Sequence, residues 1–317
     1  MLVLSPITIT DSMFMAGSIP DVDVDAGEKA WVSGQVVAEK DERVHNKYVW
    51  KCAHVPPDLT ISPDKDGNNW QKMRPSNKWA SFDKYPSTAQ VGRKGRVDQV
   101  IKPGFFNGLA LENLKGSRLE ILITDGVDGP NLRPPVSVPL RVRPAGWKSY
   151  WFGRKLQITK YRLDKLPLNP NAVIHITVTG AADEEVGIGW LSIGDWINFG
   201  IAKRGIQSGT LYGAKAEIEN FAGRKDYGDG TFDLEPRGAA VNLTLPVMVD
   251  ASEGNRLFDV VRRLMNKPVA VYASARDRDR LLSTVGLVST DFTREITELT
   301  TLSVYVKGVL QYDSAAL

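Results

Sequence analysis

A mainly β fold with one substantial helix is what this chain predicts, on three observations. Apolar and polar residues alternate over short runs from Arg96 onward, glycine, proline and Asp-Gly turns separate the runs, and helical periodicity is confined to one stretch after Asp250. A chain of 317 residues is too long for one ordinary core. It reads as three parts: a small tryptophan-rich β module over 1–84, a β-sandwich of jelly-roll-like type over 85–195, and an α+β domain over 196–317 carrying a glycine-rich arm.

Met1 to Thr10 is apolar without a basic flank or a small-residue cleavage site, and predicts a first strand rather than a signal peptide. Asp21, Asp23 and Asp25 then alternate with Val22 and Val24, but no glycine turn or distal glutamate follows at calcium-loop spacing, so a solvated edge or linker is expected. Ala30–Ala38 and Asn46–Cys52 predict the two strands of a hairpin, with Asp41-Glu42-Arg43 as its turn. Pro56, Pro57, Pro63 and Asp66-Gly67-Asn68-Asn69 make a long loop that ends on Trp70. Four of the eight tryptophans, Trp31, Trp50, Trp70 and Trp79, fall in this one module. They brace it in place of a large core. Cys52 is the only cysteine, which excludes an internal disulfide and reads as a buried strand residue rather than a catalytic thiol.

The middle part predicts strands at Arg96–Lys102, Leu109–Leu111, Arg118–Thr124, Val136–Val142, Leu156–Tyr161 and Ala172–Val178. After Gly187, Gly189 and Gly194, the glycines at 200, 205, 209 and 213 suit turns and bulges of an extended arm, expected over Trp196–Tyr212, that reaches a neighbouring subunit. Trp196, Phe199 and Tyr212 are its candidate interface residues. Further strands are expected at Ala216–Phe221, Gly238–Val249, Val269–Ala273, Leu281–Val288 and Thr300–Val309. One helix interrupts them, with Ser252 as N-cap, Leu257, Val260, Val261 and Leu264 as its apolar stripe, and Pro268 beyond its end. Arg256, Arg262 and Arg263 face outward, and Arg276 and Arg278 lie on a self-neutralising hairpin tip that offers a polar interface.

Composition excludes several functions. With 40 Lys+Arg against 37 Asp+Glu the net charge is only +3, too little and too dispersed for nucleic-acid binding. No window approaches eighteen uninterrupted apolar residues, so membrane insertion is not expected. His45, His54 and His175 match no zinc spacing, Gly187-x-Gly189 lacks the third glycine of a dinucleotide fingerprint, and Asp226, Asp229, Asp233 and Glu235 sit on a tight loop without a visible cleft. Neither an enzyme nor a cofactor or metal is expected.

The order Trp31, Gly34, Val36, Tyr48-Val49-Trp50-Lys51-Cys52, prolines and Asn69-Trp70 resembles the small chitin-binding type of carbohydrate-binding module. The following Asn77-Lys78-Trp79-Ala80-Ser81-Phe82-Asp83 is similar to the NKW-x-x-FD sequence that follows such modules in bacteriophage tail and virion proteins. The similarity continues through Ile188-Gly189 to Gly194, Asp226-Tyr227-Gly228, Glu235-Pro236-Arg237 and the C-terminal helix and hairpin. It implies a structural component of a phage tail, tail tip or baseplate, assembled in the host cytoplasm, docking on other tail proteins as a homo-oligomer in a symmetric ring. A host surface polysaccharide is a further candidate partner, contacted through Trp31, Tyr48, Trp50, Trp70 and Trp79, with a free carbohydrate-binding protein as the alternative.

Overall fold

The computed structural model describes residues 1–142, 146–153, 155–200, 209–235, 238–274, 281–294 and 299–309. Strand β1 (Leu2–Pro6) precedes the small module, whose strands β2 (Glu42–His45), β3 (Tyr48–Cys52) and β4 (Trp70–Pro75) pair antiparallel in that order. The β2–β3 turn is Asn46-Lys47, both left-handed at φ 48° and 72°. Such a two-residue turn matches strand twist, and asparagine enters left-handed backbone at low cost. The strand expected over Ala30–Ala38 therefore gives way to β2. Of that stretch Ala30 alone bridges, to Val44, and Gly34 turns away at φ 78°.

The middle part contributes β5 (Arg96–Ile101), β6 (Gly108–Lys115), β7 (Arg118–Asp125), β8 (Val136–Pro139) and β9 (Arg141–Val142). After the short helix α1 (Trp147–Phe152) come β10 (Leu156–Gln157), β11 (Tyr161–Leu163), β12 (Ala172–Thr179) and β13 (Gly187–Asn198). One sheet has the order β5-β12-β7-β8. Alternate residues such as Leu119, Ile121 and Ile123 of β7 and Ile174, Ile176 and Val178 of β12 point inward and share a core with Leu109 and Leu111 of β6 and Leu191 and Ile193 of β13. This is a sandwich of two layers.

Its second layer does not stop with the middle part. The last third adds β14 (Gly209–Thr210), β15 (Lys215–Asn220), β16 (Gly223–Asp226), β17 (Phe232–Glu235) and β18 (Ala239–Asp250). Helix α2 (Ala251–Leu264) leads to β19 (Val269–Tyr272), β20 (Ser283–Arg294) and β21 (Leu299–Gly308). A ten-stranded sheet runs β11-β6-β13-β1-β19-β20-β21-β18-β14, with β15 also on β18. β1 is its seam, pairing with β13 on one side and β19 on the other. The boundary expected at 195/196 thus falls within β13, and a strand from the first residues of the chain ties the middle to the last third.

Gly187, Gly189 and Gly194, where the resemblance implies a turn, lie instead in the buried strand β13, and residues 201–208 of the expected Trp196–Tyr212 arm lie outside the described residues. A Cβ at Gly194 would strike the Ser5 carbonyl of β1, and one at Gly189 the Pro86 carbonyl. Close backbone approach, not bending, selects glycine here. Trp196 and Phe199 also turn inward, which corrects their assignment to an interface. Trp196 is 9% exposed, with its indole Nε1 donating to Leu163 O at 2.8 Å and its ring 5.5 Å from that of Tyr272, edge to face. Phe199 is fully buried beside Met1 and Val3. Tyr212 is fully exposed, and Arg276 and Arg278 lie outside the described residues.

Helix α2 buries Gly254, Leu257, Val261 and Leu264 and leaves Arg256, Arg262 and Arg263 exposed, as its stripe predicts. Its cap is Asp250, not Ser252. The Asp250 carboxylate accepts from Ser252 N at 2.9 Å and from Ser252 Oγ at 2.7 Å, and an anion at that position also opposes the helix dipole.

Candidate functional site

Asn77, Lys78 and Trp79 lie where the N-terminal segment, the small module and the sandwich meet. Asn77 is fully buried. Its Nδ2 donates to Asp23 Oδ2 at 3.1 Å and to Val91 O at 2.9 Å, its Oδ1 accepts from Val91 N at 3.1 Å, and its backbone N–H donates to Glu28 Oε1 at 3.0 Å. Asp23, in the centre of the stretch expected to be a solvated edge, is itself 0% exposed. Arg93 Nε donates to its Oδ2 at 2.5 Å, a charge-assisted bond that offsets part of the hydration lost on burying a carboxylate. Lys78 Nζ donates to Asp21 Oδ1 at 2.6 Å. The Asn-Lys-Trp run is therefore a fastener between three parts of the chain.

The module's aromatic residues are mostly its own core. Trp70, 3% exposed, closes on Val37 and Cys52, with Trp31, Trp50 and Leu59 packed around them. Trp70 thus has no ring face for a sugar, because so small a module has little else to bury. Trp31 and Trp50 are half-buried, the first edge-on to His45 at 5.1 Å and the second donating Nε1 to His45 O at 3.0 Å. Tyr48 and Trp79 carry ammonium groups on their rings, Lys72 Nζ at 3.2 Å and Lys47 Nζ at 3.8 Å from the centroids. Cys52 is closed off from solvent and its Sγ–H donates to His54 O at 3.2 Å. Burial, helped by the charge of Asp41, pushes its thiol up and away from the reactive thiolate.

Trp79 does line a cleft, of about 250 Å³, with Phe82, Asp83, Lys84, Trp190, Ser192 and Lys267 among its walls. Aromatic surface beside a carboxylate and two ammonium groups is chemistry that can hold a sugar ring. Burial raises the Asp83 carboxyl above its ordinary value of 3.8, against hydrogen bonds from Tyr85 N–H and Thr88 that lower it. A carboxyl raised by folding contributes stability that is fully present below its unfolded value and is lost as pH rises through its folded value. Asp83→Asn is therefore expected to raise the melting temperature at neutral pH and to give no gain near pH ~3. Melts at both pH values check this, and an equal shift at both would contradict it.

Two hairpins project from the body with apolar side chains in solvent. The first, β9–β10, is anchored by Gln157 Nε2, which donates to Gly116 O at 3.2 Å, and by an Arg141–Glu184 ion pair. Its tip is α1. Trp147 is 77% exposed, Trp151 63% and Phe152 79%, with Tyr150 and Leu156 also exposed. The second is β16–β17, all but Gly223 of which is exposed, with Tyr227, Phe232 and Leu234 in solvent and Ile218 of β15 beside it. Neither surface was legible beforehand. A helix of six residues leaves no periodic stripe, although aromatics at 147, 150 and 151 share helical spacing.

Among the described residues no group of three or more His, Cys, Asp or Glu side chains is placed to hold a metal ion, and no helix is long and apolar enough to cross a membrane. No protein-family model, no curated protein and no solved structure matches this chain.

Proposed function

We propose that this chain is a structural component of a bacteriophage tail, tail tip or baseplate, acting by docking on neighbouring virion proteins. The observation that carries the docking role is the exposed aromatic tip of α1, since contiguous apolar surface on a folded chain marks an interaction site. The word phage rests on the NKW-x-x-FD resemblance at Asn77–Asp83. An antibody raised against the purified chain is expected to decorate the tails of phage particles released from cells that express it. Particles left unlabelled while soluble chain is recognised would contradict the assignment.

A second reading, contact with a host surface glycan, is favoured by the cleft that the partly exposed rings of Trp79 and Phe82 line with Lys267. On a glycan array the full chain is then expected to retain a defined set of sugars and to lose them in the variant Lys267→Glu. Binding that survives this substitution would place the sugar elsewhere.

A further inference from the structure

We propose that copies of this chain associate head to tail, the β15–β17 arm of one copy seating on the aromatic knob around α1 of the next. This deepens the reading of an assembly protein and rests on it only in that both require association.

Three observations identify the occupant as a second copy. The first is charge. From Arg141 to Leu163 the sequence contains no Asp or Glu and seven Lys or Arg, of which Arg141, Lys160 and Arg162 pair with Glu184, Glu112 and Asp164, whereas from Tyr212 to Glu235 it contains six Asp or Glu against three Lys or Arg. Lys148 and Lys155 are exposed in the knob and Asp229 and Asp233 in the arm, where the Phe232 and Tyr227 rings themselves carry Arg224 and Lys225. Two apolar patches of opposite sign on one chain are complementary to each other. The second is position. The knob is tied through Gln157 to Gly116 and Leu114 at the β6 end of the large sheet, and the arm springs from β18. Six interstrand steps separate those strands, roughly 29 Å along the sheet at about 4.8 Å per step. Patches at opposite ends join unlike surfaces, which builds rings or filaments rather than a two-fold dimer.

The third is area. Trp147, Trp151, Phe152, Tyr227 and Phe232 are 44–79% exposed, and at about 150–250 Å² for a whole side chain the exposed fractions supply roughly 480–800 Å² before Tyr150, Leu156, Ile218 and Leu234 are added. A stable interface buries about 1,200–2,000 Å². The β16–β17 ribbon also has a reason to dock, because a two-stranded hairpin with both faces in water is marginal alone.

The test uses full-length chain and two variants, each changing only exposed side chains: a knob variant, Lys148→Glu with Trp151→Glu, and an arm variant, Asp233→Lys with Leu234→Lys. Sedimentation velocity is expected to give wild type as a multiple of 35.0 kDa and each variant as a single chain with unchanged circular dichroism. An equimolar mixture of the variants is expected to form a two-chain species and nothing larger, because one intact knob and one intact arm remain per pair. Wild type that assembles regardless of either variant overturns the head-to-tail contact and leaves the assembly reading standing. Assembly abolished by the knob variant but not by the arm variant overturns it in favour of a two-fold contact. A single-chain wild type that sediments with anionic phospholipid vesicles, and ceases to in the knob variant, overturns it by assigning the knob to a membrane surface.

Discussion

Replacing Arg93 by methionine is expected to destabilise the chain by about 3–5 kcal/mol, the cost of leaving a buried charge without its partner. Asp23 is 0% exposed, and its Oδ2 is held by Arg93 Nε at 2.5 Å and Asn77 Nδ2 at 3.1 Å. The remaining amide is too weak a donor to hold a carboxylate away from water. Converting Asp23 to asparagine in the same chain removes the stranded charge, so Asp23→Asn/Arg93→Met should recover a large part of the loss. Urea unfolding of the two single variants and the double variant measures this coupling. A loss of under about 1 kcal/mol in Arg93→Met, the ordinary size for a surface ion pair, would show that Asp23 is reached by water.

Trp196→Ala is expected to cost about 3–5 kcal/mol through the cavity it leaves, and it also removes the indole donor to the Leu163 carbonyl. Trp196 packs with Leu4, Ala110, Trp190, Ala270, Tyr272 and Val285, which come from five strands around the β1 seam. The damage should therefore spread to both sides of the seam. Hydrogen exchange is expected to quicken in β13 and in β19 together. A variant that melts like wild type but no longer associates would restore Trp196 to the interface role that its neighbourhood in sequence suggested.

The sequence made the alternating strands legible and left the junctions hidden. β7, β12, β18 and β21 each show a clean apolar alternation, and α2 a clean stripe, so their existence follows from period alone. β13 was illegible because Gly187, Gly189 and Gly194 break the pattern and because most of it is buried on both faces. The Asp23–Arg93 pair spans 70 residues and has no local signature. The tryptophans of the module could be counted but not oriented. Whether a ring faces a sugar or a core depends on side chains such as Lys47 and Lys72, whose positions are set by folding. Of the candidate site, Trp79 and Asp83 lie in the one motif quoted from the sequence, while Trp190 and Lys267, which complete its cleft, come from distant segments.

That this chain works by presenting surfaces to other protein chains is tested most directly by negative-stain electron microscopy of the purified full-length protein. The expected image is a discrete assembly with rotational symmetry or a regular filament, in which each unit matches one 35.0 kDa body. Separate single-chain particles at every concentration, unchanged by added tail proteins, would contradict it.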